Sequence, residues 1–155
     1  MAERSFEQSI GIQVAPDVVH AFLADLHHHR DLHPLIERIE DLPPHPGRPT
    51  VRRHRVTDRM RLGPLSFRIA YVAEIMPVPP DLILATAWQS PGVEVHTSYR
   101  VARSSAGGTL LREDVRIKAP LLLIGYARRQ AEAAHRETLA KLKVLLESES
   151  SAIAT

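Results

Sequence analysis

The feature that most constrains the fold is a run of segments between residues 50 and 118 in which apolar and polar residues alternate. The segments are 50–62, 65–76, 81–89, 93–103 and 109–118. Alternation with a period of two is typical of strands that bury one face. Turns of two to five residues separate the segments, and such short connections join antiparallel neighbours. The pattern therefore predicts an antiparallel meander.

The flanking segments add two strands and three helical stretches. Residues 5–14 alternate like a half-buried strand, and residues 35–42 form another short one. Between them, the sequence APD at 15–17 is typical of a helix start, and 27–33 continues as a short second helix or turn. Residues 120–147 contain no Pro after the first position and predict one long helix with an apolar stripe.

This order of elements predicts an α+β fold. A curved seven-stranded antiparallel sheet carries two short helices after its first strand, and the long last helix covers its concave face. We expect residues 1–147 to form a single domain and residues 148–155 to form a flexible C-terminal tail. A chain of 155 residues, 44% of them hydrophobic, suits one domain with a sizeable core or an internal cavity.

Composition excludes several classes of protein. The sequence has no run of about 18 apolar residues, so no membrane-spanning helix is expected. It has no cysteine, which excludes disulfides and zinc sites with thiolate ligands. The first residues, MAERSFEQSI, lack the apolar core of a secretory signal, so we expect a cytoplasmic protein. A net charge of +2 does not favour nucleic-acid binding.

Five stretches of the sequence carry a family resemblance. They are VAPDVVHAFLADL, LHPLIERIEDL, PGVEVHTSYRV, GGTLLREDV and KAPLLL. They resemble the START-like, or helix-grip, superfamily (SRPBCC), which includes the polyketide cyclase/dehydrase and lipid-transport group, over about residues 5–147. The resemblance implies that the sheet grips the last helix around a mostly apolar cavity. Members bind lipids, sterols, polyketides or plant hormones, and some catalyse cyclisation or dehydration.

Alternation separates side chains that face such a cavity from those that face solvent. Segment 81–89 is apolar on both faces, and we place Leu84, Thr86 and Trp88 inward. The last helix contributes a small residue and a histidine. The predicted ligand-binding residues are Asp58, Phe67, Ile69, Tyr71, Trp88, Thr97, Tyr99, Leu111, Val115, Ala131 and His135.

Glu113 is the most informative residue, because it lies between Leu111 and Val115 on an apolar face. Burial raises the pKa of a carboxyl group that has no partner. Glu113 either orients a ligand or acts as a general acid/base, or it forms a structural pair with an inward Arg or His. With His54 it is our candidate catalytic residue, since a His and a carboxylate that meet in a pocket suit proton transfer. The alternative is that these polar groups only satisfy each other.

Four histidines, His27, His28, His29 and His33, raise the question of a metal site. His29 and His33 have the i, i+4 spacing that places two imidazoles on one helix face. A zinc site needs a third or fourth ligand, and the spacing does not supply one. We therefore expect no metal and no other cofactor.

Two surface features leave alternatives open. Arginines at 52, 53, 55, 59 and 61 form either a solvated outer face or a patch for anionic lipid headgroups. The apolar residues 121–124 are either buried against the sheet, a lip at the cavity entrance or a dimer contact. Transient membrane contact and a monomeric or homodimeric state both stay open.

These observations predict a protein that binds a hydrophobic small molecule, lipid- or polyketide-like, between the sheet and the last helix. One alternative is a polyketide cyclase/aromatase or dehydratase that uses Glu113 and His54 for proton transfer. Another is a non-catalytic interaction protein whose cavity is filled by its own side chains. A cavity of roughly 300 Å³ or more would exclude the last alternative.

Overall fold

The computed structural model describes residues 1–153 and confirms the α+β helix-grip fold. The strands are β1 (Ala2–Ile12), β2 (Ile36–Leu42), β3 (Arg52–Leu62), β4 (Leu65–Val78), β5 (Leu82–Gln89), β6 (Val93–Arg103) and β7 (Thr109–Ala119). The helical elements are α1 (Pro16–Leu23), a 3₁₀ helix (Leu26–Asp31) and α2 (Ile124–Ile153).

The seven strands form one antiparallel sheet in the order β1-β7-β6-β5-β4-β3-β2. Strands β3 to β7 follow each other in space as they do in sequence, as their short turns require. β1 pairs with β7 from Ala2 opposite Ala119 to Ile12 opposite Thr109. The chain then passes from edge strand β1 to the other edge strand, β2, through α1 and the 3₁₀ helix.

Local signals explain where the first helices begin. Pro16 lies in the first turn of α1, where its missing N–H costs no helical hydrogen bond. Asp25 precedes the 3₁₀ helix, and its Oδ1 accepts the N–H of His27 at 3.0 Å. Such a cap satisfies a donor that the helix itself cannot pair. The histidine-rich stretch is thereby held as a tight turn directly after α1.

The last helix differs from the predicted range of 120–147 at both ends. Residues 121–123 form a turn, so α2 begins at Ile124, and it continues to Ile153. Lys143 pairs with Glu147 at 2.8 Å, an i, i+4 contact that supports the extra turns. Residues 148–153 of the predicted tail are therefore helical, and residues 154–155 lie outside the described residues. No helix among the described residues is long and apolar enough to cross a membrane.

The core consists of two clusters of buried side chains. The first packs α1 and the second half of α2 onto the sheet, and its fully buried members include Ile12, Leu23, Ile83, Leu111 and Leu142. The second packs the start of α2 onto β1 and β7, and includes Phe6, Val115, Ile117, Ala119 and Ile124. Apolar burial of roughly 25 cal/mol per Å² stabilises both clusters.

Polar contacts also tie α2 to the sheet at its start and about two thirds of the way along it. The hydroxyl of Tyr126 donates to the carbonyl of Arg61 at 3.3 Å. About five helical turns later, Nζ of Lys143 donates to the carbonyl of Gly11 at 2.7 Å. The helix between these contacts is held over the concave face of the sheet.

Candidate functional site

A cavity of about 290 Å³ lies between the sheet and α2. Strands β3 to β6, the segment around the 3₁₀ helix and the first half of α2 supply its walls. Much of the wall is apolar and includes Val56, Met60, Ile69, Ala73, Ala85, Ala87 and Val95. The volume is at the lower end of the range for small-molecule sites, roughly 300–1,000 Å³. This hollow argues against the alternative of a cavity filled by the protein's own side chains.

Small residues on α2 keep this space open. Ala127, Ala131 and Ala134 lie at spacings of four and three residues and all line the cavity. Residues at these spacings share one face of a helix. Since an Ala side chain ends at Cβ, the helix approaches the sheet here without filling the gap. The face of α2 therefore determines how much room a ligand has.

Eight of the predicted ligand-binding residues lie on the cavity wall. They are Asp58, Phe67, Ile69, Tyr71, Thr97, Tyr99, Ala131 and His135. Six of them come from strands with one clearly apolar face, where alternation identifies the inner side. Their contact with a ligand stays a prediction.

Strand β5 turns its other face inward. Ala85 and Ala87 line the cavity, and Thr86 also borders it, whereas Leu84 and Trp88 lie on the outer face. Leu84 is 37% exposed and Trp88 is 40% exposed, so the prediction that these two side chains point inward is wrong. Because β5 is apolar on both faces, its sequence does not show which face points to solvent. A shift of one residue in the assignment exchanges the inner and outer faces.

Leu111 and Val115 point inward but do not lie on the cavity wall. Leu111 is fully buried in the first core cluster, and Val115 is buried in the second. Both lie on β7, a strand that α2 contacts directly. Alternation identifies the inner face of a strand but not which part of that face is covered by a helix.

His54 is buried but is not on the cavity wall, which corrects its predicted place beside Glu113. The register of β2 and β3 places His54 opposite Asp41, and its Nδ1 lies 3.0 Å from Oδ1 of Asp41. The ring of His27 meets the ring of His54 edge-on at 5.4 Å. The structure therefore groups His54 with the polar residues of β2 and the 3₁₀ helix.

Glu113 is fully buried and paired with a histidine of α2. Its Oε2 accepts a hydrogen bond from Nδ1 of His135 at 2.9 Å. Its other oxygen, Oε1, has no hydrogen-bond partner among the described residues. Tyr99 lies directly opposite Glu113 on β6, and burial, followed by the charge of Glu113, raises the pKa of the Tyr99 hydroxyl. Glu113 thus lies behind the wall that His135 and Tyr99 form.

A second polar group on the wall joins β3 and β4. The hydroxyl of Tyr71 lies 3.2 Å from both carboxylate oxygens of Asp58. Burial raises the pKa of Asp58 to about 6, and the hydrogen bond from Tyr71 opposes this rise. Burial also raises the pKa of Tyr71. Asp58 can therefore present either a protonated or an ionised carboxyl group to a ligand near neutral pH.

His29 and His33 also line the cavity, although their spacing in the sequence suggests only a pair of metal ligands. His33 meets His135 edge-on, with ring centroids 5.6 Å apart. Burial, and then the neighbouring His135 and His29, lower the pKa of His33 to about 3. Burial also lowers the pKa of His29. Their i, i+4 spacing indicated a shared face, but the sequence carried no signal that this face covers the sheet.

An exposed apolar rim, formed by Leu62, Leu65, Leu121 and Leu122, lies beside the cavity. Leu121 is 75% exposed and Leu122 is 95% exposed, while the next residue, Leu123, lines the cavity. The contact of Tyr126 with Arg61 brings this turn to the β3–β4 hairpin, which carries Leu62 and Leu65. Residues 121–124 are thus divided between the rim, the cavity and the core.

Several solved structures are similar to this fold. They include the di-domain ARO/CYC protein BexL from the BE-7585A biosynthetic pathway (15% identity, TM-score 0.71), the Zhui aromatase/cyclase from Streptomyces sp. R1128 (20%, 0.68) and a START superfamily protein from Mycobacterium smegmatis (15%, 0.69). The matches cover 91%, 96% and 96% of this chain, and 49%, 94% and 98% of the other chains, in that order. The chain thus spans about half the length of BexL. The likeness shows a START-like fold, as the sequence resemblance implied.

Comparison with curated proteins finds no match. A family model matches residues 8–148, which run from β1 into the last turns of α2. This range includes every residue on the cavity wall. The chain therefore belongs to the family described as Domain of unknown function (DUF7053).

Proposed function

We propose that the protein binds a hydrophobic small molecule, lipid- or polyketide-like, in the cavity between the sheet and α2. The observation that carries this proposal is a hollow of about 290 Å³ with a largely apolar wall between the sheet and α2. Protein interiors are otherwise close-packed, and an unfilled apolar space forfeits contacts that would stabilise the fold. A bound apolar molecule supplies those contacts.

The wall also favours a ligand with a few polar atoms. Asp58 and Tyr71 present oxygen atoms from the sheet, while His33 and His135 present ring nitrogens from the opposite side. Burial of apolar surface, at about 25 cal/mol per Å², supplies most of the affinity, and the polar groups orient the ligand. The volume suits a compact molecule with one or two ketone or hydroxyl groups better than a long-chain lipid.

Native mass spectrometry of the protein from its own source tests this proposal. We expect a population with a mass increment that disappears on denaturation, and an apolar compound in the organic extract. Protein stripped of this compound should rebind it with one-to-one stoichiometry. Protein that carries no small molecule, and whose cavity takes up no apolar compound from such an extract, would contradict the proposal.

A second candidate function is proton transfer in a cyclisation or dehydration, and the contact of Glu113 with His135 favours it. A carboxylate that accepts a hydrogen bond from Nδ1 fixes the tautomer of a histidine, with the proton on Nδ1. Nε2 of His135 is then free to take a proton from a carbon next to a ketone. The names of two similar structures, both aromatase/cyclases, agree with this chemistry. The sequence pattern suggests His54 as the partner of Glu113, but the geometry favours His135 in its place.

Turnover of a poly-β-ketone thioester tests this second candidate. His135→Gln removes the base, and Glu113→Gln removes the charge that orients it, so both variants should lose ring closure while still binding the compound. His96→Gln is the matched control, because His96 lies on the outer face of β6 beside Thr86 and Glu94. Normal turnover by both cavity variants would exclude catalysis through this pair.

We propose that the apolar rim makes transient contact with a membrane from which the ligand enters. One support is the exposure of Leu121 and Leu122 beside the cavity-lining Leu123. Another is the positive charge of Arg61 in the β3–β4 hairpin and of Arg128 and Arg129 in the first turns of α2. Leu122→Ser should reduce sedimentation with anionic phospholipid vesicles, whereas the exposed Val144→Ser, far along α2, should not. Equal sedimentation of all three proteins would contradict this proposal. A cytoplasmic location and a monomeric or homodimeric state stay predictions.

A further inference from the structure

We propose that His27, Asp41 and His54 form a binding site for a divalent cation of the zinc type, outside the ligand cavity. One ligand atom from each residue lies within 4.8 Å of the other two. Oδ1 of Asp41 is 2.6 Å from Nε2 of His27 and 3.0 Å from Nδ1 of His54. Three potential ligands on three different elements thus converge on one point.

The fold holds these three residues in place without a metal. Asp41 and His54 are directly opposite each other on β2 and β3. His27 lies in the first turn of the 3₁₀ helix, where the cap from Asp25 fixes its backbone. Its ring stands edge-on to that of His54, with an interplanar angle of 89°. The ligands are therefore largely preorganised, which lowers the conformational cost of binding.

The donor set suits zinc or a similar borderline metal. Two imidazoles and one carboxylate, with a water molecule in the fourth position, complete a tetrahedral site. Zinc bonds of about 2.0–2.1 Å place tetrahedral ligands about 3.3 Å apart. The hydrogen-bonded distances of 2.6 and 3.0 Å are slightly shorter, so small rotations of the exposed His27 and Asp41 side chains open the site.

Two features set the expected strength of this site. The Asp41 side chain is 73% exposed, so its carboxylate stays hydrated when no metal is bound. Nε2 of His54 is buried with no hydrogen-bond partner among the described residues. A metal bound to Nδ1 would leave the ring proton on this Nε2 atom. That unpaired N–H and the exposed Asp41 predict weaker binding than in a closed site with four protein ligands.

This site resolves the question that the histidine cluster raised. The i, i+4 spacing in the sequence suggests His29 and His33 as metal ligands, but both line the ligand cavity. His27 faces the other way, and the missing ligands come from β2 and β3 rather than from the same segment. A metal here would tie the 3₁₀ helix to the edge of the sheet.

Titration of the full-length, tag-free, chelator-treated protein with Zn²⁺ tests the proposal. We expect one equivalent to bind by calorimetry, and we expect Asp41→Asn and His27→Gln each to weaken that binding at least tenfold. His28→Gln is the matched control, because it changes the next histidine of the same helix, whose Nδ1 lies 2.8 Å from the carbonyl of Phe22. Zn²⁺ should also raise the melting temperature of the wild type and of His28→Gln, but not of Asp41→Asn.

Three results would overturn the proposal. The first is the absence of stoichiometric Zn²⁺ binding by the wild type. The second is equal affinity in the wild type, Asp41→Asn and His27→Gln. The third is binding that His33→Gln removes and His27→Gln does not, which would place the metal in the cavity. Circular dichroism spectra establish that each variant is folded, so a loss of binding reports on the ligands.

Discussion

Replacing Ala131 by Leu is expected to weaken ligand binding at least tenfold while the protein keeps its fold. Ala131 lies near the middle of the α2 wall, and a Leu side chain at this position extends into the hollow. A clash or lost apolar contact worth about 1.4 kcal/mol already changes affinity tenfold. Because the added atoms enter empty space rather than a packed core, the cost of overpacking should be small.

The matched control is Ala133→Leu. Ala133 is on the same helix two residues away and is exposed, so the same chemical change falls outside the cavity. Binding is measured with the co-purifying ligand or with the fluorescence of anilinonaphthalene sulfonate, and stability is measured by urea denaturation. If Ala131→Leu and Ala133→Leu bind equally well, the ligand does not occupy this cavity.

Acidification from pH 8 to pH 5 is expected to destabilise the fold, with His33 as one of the contributors. Its pKa is lowered from 6.5 to about 3, so between these values the unfolded chain binds a proton that the folded protein does not. Stability contributed by a group of this kind is complete above about pH 7.5 and is lost as the pH falls through 6.5 towards 3. At pH 5 the loss amounts to as much as about 2 kcal/mol.

Asp58 acts in the opposite direction. Its pKa in the folded protein is about 6, above the unfolded value of 3.8, so the folded protein binds the extra proton between these values. Acidification through pH 6 therefore stabilises the fold by about 1 kcal/mol at pH 5. The lowered pKa values of His29 and His54 act in the same direction as His33.

Urea denaturation at pH 8 and pH 5, in the presence of chelator, separates these contributions. His33→Gln should reduce the loss of stability between the two pH values, and Asp58→Asn should increase it. His96→Gln, on the outer face, serves as the control. An unchanged pH dependence in both cavity variants would show that neither group titrates in the way its surroundings indicate.

Much of the fold was predictable because it depends on local chemistry. The alternation in β3, β4, β6 and β7, together with their short turns, determines both the antiparallel order and the inner faces. β5 was the exception, since Leu84 and Trp88 are as apolar as Ala85 and Ala87, and only pairing with its neighbours decides which pair points inward. The first turn of α2 was also misplaced, because residues 121–123 have helical composition but form a turn.

The site was predictable only in part, because depth and distance depend on the whole fold. The alternation of residues in β7 correctly predicts that Glu113 points inward. A structural pair with an inward histidine is one of the two interpretations of Glu113 that the sequence allows. That the partner is His135 depends on the rotation and height of α2 over β7. The alternation in β3 places His54 and Asp58 on the same strand face. Only Asp58 lines the cavity, because His54 lies farther along the strand, beside β2 and the 3₁₀ helix.

The two polar contacts that tie α2 to the sheet, through Tyr126 and Lys143, separate two properties of the protein. These two contacts help attach the helix, whereas the capacity of the hollow depends on small side chains that lie between them. Substitutions of Ala127, Ala131 or Ala134 can thus change which molecules fit in the cavity without moving α2 relative to the sheet. Related chains could diverge in ligand preference through a few methyl or methylene groups while the scaffold stays the same.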